Sequence, residues 1–155
     1  MDFQLTDDQR ALQEAARQFA QNELPDLTAE LERDAKPVPK AWLKRYAEMG
    51  FLGINIAEEY GGLGLDFTYE VVYAEQLGNI RSSGLTSAVG VQSHMCTPAL
   101  ANFGSEELKR DYLAPTIAGD LVGCIGVSEH SAGSDVSQIK TTARRDGDDY
   151  VINGS

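Results

Sequence analysis

The hydrophobic pattern of the chain changes its period at Pro115, and this change constrains the fold more than any other feature of the sequence. Before Pro115, apolar residues recur three and four residues apart, which is the spacing of amphipathic helices. After it, apolar residues alternate with polar ones, as in residues 139–143, which is the spacing of β-strands. The sequence therefore predicts an α+β chain, with an all-α helical bundle over residues 1–118 and the start of a β domain over residues 119–155.

Capping and stop signals divide the first part into separate helices. Thr6-Asp7-Asp8-Gln9 has the form of a capping box, so the sequence predicts a first helix that starts there and ends before Pro25. A Thr-Pro step at Thr97 predicts the start of a later helix, because proline is favoured in the first helical turn. The further predicted helices lie near Leu27 and Leu31, from Lys40 to Gly50, from Asp66 to Gly78, over residues 83–96, and from Ser105 to near Leu113.

The residues after Pro115 predict strands and turns. The apolar residues at 121–127, with two glycines among them, predict a buried strand whose backbone another group can approach closely. Asp146-Gly147 predicts a hairpin, and Tyr150 to Ile152 the return strand. About three strands cannot cover both faces of a sheet. We therefore expect residues 119–155 to be the beginning of a barrel-like β domain, and the chain to be truncated.

The loop of residues 128–135, Ser-Glu-His-Ser-Ala-Gly-Ser-Asp, is the candidate binding segment. It carries no large apolar side chain, and it presents hydroxyls, backbone N–H groups and carboxylates. This composition suits a ligand-binding loop. It is also common in ordinary turns, because Ser, Gly and Asp tolerate unusual backbone angles and form local hydrogen bonds. The residues alone leave both interpretations open.

The sequence from Val127 to Asp135, followed by residues 139–141 and 150–154, resembles the flavin-contacting signature of the acyl-CoA dehydrogenase family. In that family the loop usually reads Thr/Ser-Glu-Pro-Gly-Ala-Gly-Ser-Asp. His130 stands where proline is usual, and Ser131 stands where the first glycine is usual. Two earlier segments also resemble the family, namely the Tyr-Gly-Gly-x-Gly turn at residues 60–64 and the Gly-Ser-Glu-Glu-x-Lys-x-x-Tyr-Leu helix at residues 104–113.

The resemblance implies FAD as the cofactor and the α,β-dehydrogenation of an acyl-CoA thioester, with hydride transfer to flavin N5. It implies that the Val127 backbone and the Ser128 hydroxyl meet the polar edge of the flavin and that Ile125 packs against its ring. It implies that Ser134 lies near the thioester and phosphate portion of acyl-CoA. The cofactor-binding residues implied are therefore Ile125, Val127, Ser128, Gly133 and Ser134, and Ser134 is also the substrate-binding residue.

No residue of this chain is assigned as the catalytic base. Glu129 is the obvious carboxylate, but in the family this glutamate belongs to the loop architecture and the base comes from a C-terminal helical domain. The Trp-x-Thr flavin segment that the family carries just after Asn153-Gly154 is also absent from these residues. We therefore expect residues 1–155 on their own to be inactive.

The resemblance also implies partners. It implies an electron-transfer flavoprotein as the electron acceptor and a homo-oligomer, either a tetramer or a dimer. A formal charge of −11 argues against a nucleic-acid partner. No apolar run reaches the length of a membrane span, and the first residues show no targeting pattern, so we expect a cytoplasmic protein with reduced Cys96 and Cys124.

Other functions fit the residues less well. The spacing of His94, Cys96, Cys124 and His130 does not match a zinc-finger pattern. The glycine-rich turn at residues 60–64 matches neither G-x-G-x-x-G nor the P-loop. No G-x-S-x-G motif indicates a serine hydrolase. A flavin monooxygenase or oxidase on the same scaffold stays open because of the unusual His130-Ser131 pair, and so does a noncatalytic binding module.

Overall fold

The computed structural model describes residues 4–155 and divides them into two compact units, one ending at Cys124 and the other beginning at Ile125. The first unit is helical, and the second holds the candidate loop and a β-hairpin. The division of the chain into domains at 118/119 stays a prediction. The helices are α1 Asp7–Asn22, α2 Leu24–Asp34, α3 Lys40–Glu48, α4 Phe67–Leu77, α5 Ser83–Gly90, α6 Thr97–Phe103, α7 Glu106–Leu108 and α8 Ala114–Ile117.

Local signals position the first helices as predicted. The Thr6 side chain accepts a hydrogen bond from the Gln9 N–H and the Gln9 side chain accepts one from the Thr6 N–H, which confirms the capping box. Asp66 caps α4 through the Thr68 N–H, and Gly50 follows α3 with a φ of 77°. Glycine adopts this left-handed conformation without the steric penalty of a side chain, which explains why α3 stops there.

The core of the helical unit lies between the buried faces of α1 to α5. Phe19 meets the rings of Tyr46 and Phe51 edge-on, with centroid distances of 4.9 and 5.5 Å, and Phe51 stacks on Tyr73 at 4.8 Å. Such aromatic pairs add about 0.5–1.5 kcal/mol each beyond the burial of their surface. The same core is completed by the helix that begins with α5, of which Leu85 and Val89 are almost fully buried.

The glycine-rich turn is a structural element of this unit. A Cβ at Gly62 would lie 2.0 Å from the Ile56 carbonyl oxygen, and Gly61 and Gly64 have φ values of 88° and 63°. The chain can therefore fold back here only without side chains at these positions. Tyr60, Ile56, Leu113 and Ile117 form a second, smaller hydrophobic cluster beside the turn.

Two helix boundaries differ from the sequence prediction, and proline explains both. A separate helix was predicted to start at Thr97-Pro98, but α5 continues through a π-helical turn at Val91–Cys96 directly into α6. The last helix was predicted to end near Leu113, but it continues through the π-helical turn Lys109–Leu113 into α8, with Pro115 inside it. Proline lacks an N–H and its ring crowds the carbonyl four residues earlier. The wider π turn accommodates both effects.

The predicted buried strand at residues 121–127 is wrong. These residues form no strand within the described part of the chain, and Val122 and Ile125 are 65% and 49% exposed. A strand needs a hydrogen-bonded neighbour, and the sheet within residues 4–155 consists of two strands, β1 Thr142–Asp146 and β2 Asp149–Asn153. They pair antiparallel, with Asp146 opposite Asp149 across the predicted Asp146-Gly147 hairpin. No helix in residues 4–155 is both long and apolar enough to cross a membrane.

Candidate functional site

The candidate loop in the second unit is closed by a tight turn. The Glu129 N–H donates to the Ala132 carbonyl at 2.8 Å, and the Ala132 N–H donates back to the Glu129 carbonyl at 3.3 Å. His130 and Ser131 form the two-residue tip. Ala35 is the one non-glycine residue with a positive φ within residues 4–155, so Ser131 keeps a negative φ. The Pro-Gly pair usual in the family favours a type II turn, which needs a positive φ at its second central residue. The substituted tip therefore uses another turn type.

Glu129 holds this loop to the residues that precede β1. Its two carboxylate oxygens accept hydrogen bonds from the backbone N–H groups of Lys140 and Thr141, at 2.8 and 2.9 Å. The bond from Lys140, followed by those from Thr141, lowers the pKa of the Glu129 carboxyl below its ordinary value. Hydrogen bonds to the charged form favour that form, which makes the group a weaker base. The structure agrees with an architectural role for Glu129.

The other end of the loop is fixed by Asp135. Its carboxylate accepts hydrogen bonds from the Ser137 hydroxyl at 2.6 Å and from the Ser137 N–H at 3.1 Å, which caps a short 3₁₀ turn over Val136–Gln138. These bonds from Ser137 lower the pKa of the Asp135 carboxyl. Both acidic residues of the loop are thus used to shape it. The groups left for a ligand are the hydroxyls and the backbone.

Three of the predicted site residues, Ser128, Gly133 and Ser134, lie on this loop, and Ile125 and Val127 lie on the segment just before it. The hydroxyls of Ser128 and Ser134 form no hydrogen bond with any described residue, and both side chains are exposed. A Cβ added at Gly133 would find no atom of the described chain within 4 Å. Ile125 is about half exposed, and Val127 is partly buried. Of the five residues, none is closed off by its own unit.

These groups fit a flavin. An isoalloxazine ring presents a flat apolar surface and a polar edge, which require an apolar contact and hydrogen-bond donors. Ile125 supplies exposed apolar surface, and the open space beside Gly133 lets a flat group approach the backbone. Ser128 and Ser134 supply unpaired hydroxyl donors. This combination of apolar surface, open space and hydrogen-bond donors fits FAD.

Gln92 in the helical unit is a residue that the sequence patterns did not single out. It lies in the π-helical turn Val91–Cys96 and is 1% exposed. Its Nε2 donates to the carbonyls of Thr116 and Leu121, both at 3.1 Å, and its Oε1 accepts from the Gly123 N–H at 2.8 Å. The side chain therefore supplies the hydrogen bonds that a neighbouring strand would otherwise give to residues 121–123. A buried glutamine in a stretch of small residues was the only sequence signal for it.

A cleft of about 440 Å³ opens beside Gln92 in the same unit. Its walls are mostly apolar and come from α2, α3, α5 and Val122. At its rim, the Ser82 hydroxyl donates to the Glu32 carboxylate at 2.7 Å. The cleft has the size and lining of a small-molecule pocket.

His94, considered as a metal ligand, has a structural partner. Its Nε2 lies 2.9 Å from Oε2 of Glu70, which is buried on α4. His94 is itself exposed, and this contact gives its ring a hydrogen-bonding partner on a neighbouring helix. Cys96 and Cys124 are both free thiols.

Comparison with known proteins gives consistent matches over the chain. The family model for the acyl-CoA dehydrogenase N-terminal domain matches residues 6–120. The short-chain specific acyl-CoA dehydrogenase of Clostridium acetobutylicum is 34% identical, over 100% of this chain and 40% of that protein. A structure of the electron transferring flavoprotein of Acidaminococcus fermentans contains a chain that is 36% identical, with a TM-score of 0.86 over 99% of this chain and 40% of that chain. The FAD complex of PigA has a TM-score of 0.89 at 29% identity, again over 99% and 40%. The chain thus spans about 40% of the length of such relatives.

Proposed function

The chain belongs to the acyl-CoA dehydrogenase family, and on that premise we propose that it is the N-terminal part of an FAD-dependent enzyme that dehydrogenates the α,β bond of an acyl-CoA thioester. The observation that carries the proposal is the candidate loop, whose carboxylates are used internally while its hydroxyls stay unpaired and exposed. The hydroxyls of Ser128, Ser131 and Ser134 form no hydrogen bond within the described residues, so they remain available to a ligand beside the open Gly133.

FAD is the cofactor in this proposal, and the five residues implied by the sequence are its contacts. When bound, the flavin supplies the acceptor for a hydride. Val127 and Ser128 would donate hydrogen bonds to its polar edge, and Ile125 would pack on the ring. Gly133 would allow close approach, and Ser134 would contact the cofactor and the thioester substrate. The FAD complex of PigA, at 29% identity, supports FAD as the cofactor.

The chain's own residues would bind and orient in this reaction, and none of those described would remove the substrate proton. Glu129 is unsuited to proton abstraction because both of its oxygens accept backbone N–H groups and its pKa is lowered. The base is proposed to lie in the part of the family's length that these residues do not span.

The partners form a further part of the proposal. An electron-transfer flavoprotein is the proposed electron acceptor, supported by the match to a chain in the structure of that protein from Acidaminococcus fermentans. A tetrameric or dimeric homo-oligomer and a cytoplasmic location complete the proposal.

The test uses the full-length protein. It should purify with the visible absorption of bound flavin, and anaerobic mixing with short, medium and branched acyl-CoAs should bleach that absorption for at least one of them. A control with free fatty acids should leave the colour unchanged. A colourless protein that takes up no FAD would contradict the proposal and favour a noncatalytic binding module.

A flavin oxidase or monooxygenase is the second candidate, because the His130-Ser131 tip does not adopt the turn type that a Pro-Gly tip favours. Flavin that is bleached only by an external reductase or by substrates that are not thioesters would favour it over the dehydrogenase.

A further inference from the structure

The backbone of residues 121–123 is held by a side chain instead of by a strand. No strand within residues 4–155 pairs with this segment, yet its Leu121 carbonyl and Gly123 N–H are both satisfied, and Gln92 satisfies both. The Leu121 N–H donates separately to the Pro115 carbonyl at 3.3 Å. Because partly buried backbone groups that lose their partner are costly, the Gln92 amide contributes directly to holding the segment in place.

Cys96, one helical turn after Gln92, also packs closely against this segment. A Cβ at Gly123 would lie 2.8 Å from the Cys96 Sγ, so the segment runs close against the helix surface at this glycine. The wide π turn contains both Gln92 and Cys96. π turns occur often at functional sites, where they re-aim side chains. Besides the hydrogen bond from the Leu121 N–H to the Pro115 carbonyl, the segment is therefore positioned by the two hydrogen bonds of the Gln92 amide and by the close approach at Gly123.

The segment held by Gln92 lies directly before the residues of the proposed flavin site. Gly123 precedes Ile125 by two residues and Val127 by four, and these are residues of the proposed flavin site. The backbone groups from Cys124 to Ser128 form no hydrogen bonds with other described residues. Gln92 is thus the last hydrogen-bonding anchor before the segment that would contact the cofactor.

We propose that Gln92 is a positioning residue for flavin binding: its buried amide fixes residues 121–123 and so restricts the start of the flavin-contacting segment. This inference rests on the proposed function. Gln92 itself touches neither cofactor nor substrate in this proposal. Its loss increases the conformational freedom of the segment in the free protein, and binding must then restrict that freedom again.

The experiment compares Gln92→Leu with Gln76→Leu in the full-length protein. Gln76 is also buried, at 9% exposure on α4, but its side chain makes no hydrogen bond with any described residue, so it controls for the loss of a buried amide. Gln92→Met, which keeps the length of the side chain, replaces the leucine variant should that variant not fold. All measurements are made below the unfolding midpoint of every variant.

Two quantities are measured, namely amide hydrogen exchange at Gly123 in the apoprotein and the dissociation constant for FAD. In the Gln92 variants, exchange at Gly123 should be faster by at least about tenfold, and FAD should bind about tenfold more weakly. In Gln76→Leu, both quantities should stay within about twofold of the wild type.

The outcomes separate the two levels of the proposal. Unchanged exchange at Gly123 overturns the anchor, and faster exchange with unchanged FAD affinity overturns the positioning role alone. A wild-type protein that binds no FAD overturns the proposed function itself.

Discussion

At the residue scale, the Glu129 carboxylate shows how a charged group can shape a site without reacting in it. It accepts the N–H groups of Lys140 and Thr141, which lowers its pKa in the folded chain. A group whose folded pKa is lowered stabilises the fold above its unfolded pKa, about 4.3 for glutamate, and this contribution is lost as the pH falls through the folded value. We therefore predict that the loop loosens only in acid, below about pH 4.3.

This prediction is checked by following the amide proton shifts of Lys140 and Thr141 in an NMR pH titration. Both amide proton shifts should change over the same pH range, and the midpoint of that change should lie below the pKa of an unperturbed glutamate. Glu129→Gln should abolish the movement, whereas Glu107→Gln, at an exposed position on α7, should leave it intact. A titration midpoint at or above the ordinary pKa of glutamate would contradict the proposed hydrogen bonds from Lys140 and Thr141 to the Glu129 carboxylate.

Gly133 provides a second prediction at this scale. Gly133→Ala should fold normally, because the added methyl group meets no atom within 4 Å. It should nevertheless weaken FAD binding by about tenfold, because the methyl group would occupy the space through which a flat ligand approaches the backbone. The matched control is Gly84→Ala in α5, where the nearest atom lies at 4.0 Å and alanine favours the helix. Equal FAD affinity in the two variants would remove Gly133 from the site.

At the scale of elements, the capping box of α1 should contribute measurably to stability. Thr6 caps α1, and Gln9 of the same box also donates to the Thr68 hydroxyl at 2.7 Å, which links the starts of α1 and α4. Thr6→Ala should lower the free energy of unfolding by about 1 kcal/mol. Urea denaturation followed by circular dichroism measures this. Ser87→Ala, an exposed position in α5, should change stability by less than about 0.5 kcal/mol, so an equal loss in both variants would argue against the cap.

Elements whose ends are set by local chemistry were predictable from the sequence, and elements set by distant partners were not. The capping box at Thr6 and the glycine stop at Gly50 depend on residues within one turn, so their pattern is sufficient. Pro98 predicted a helix start and Pro115 a helix end, but proline is also tolerated inside a helix after a π turn. Only the tertiary structure decides between these possibilities.

The candidate site shows the same division. The composition of residues 128–135 marked the loop, but the residues alone could not distinguish an ordinary turn from a binding loop. Gln92 escaped notice because its partners, Thr116, Leu121 and Gly123, lie 24 to 31 positions away in the chain. The apolar run at residues 121–127 has the pattern of a strand, yet a strand also requires a neighbour, which no pattern within the run can supply.

At the scale of the whole molecule, the chain carries large apolar side chains on its surface. Phe67 on α4 and Phe103 at the end of α6 are 70% and 88% exposed, and Tyr150 and Ile152 on β2 are 66% and 69% exposed. Full burial of one such side chain contributes about 1.5–3 kcal/mol of favourable free energy. A chain that spans about 40% of its relatives' length and exposes these groups has a strong driving force for association.

We therefore predict that residues 1–155 expressed alone self-associate and bind a hydrophobic dye, because exposed aromatic groups and the unpaired edges of the hairpin offer contacts to other copies. Sedimentation velocity across a concentration series measures the association. Replacing Phe67 and Phe103 by glutamine should reduce both association and dye binding, whereas Asn102→Gln, a polar change on the same helix as Phe103, should reduce neither. A full-length protein that buries these side chains should bind less dye for each chain. If residues 1–155 stay monomeric at every concentration and bind no dye, these exposed apolar side chains do not drive association.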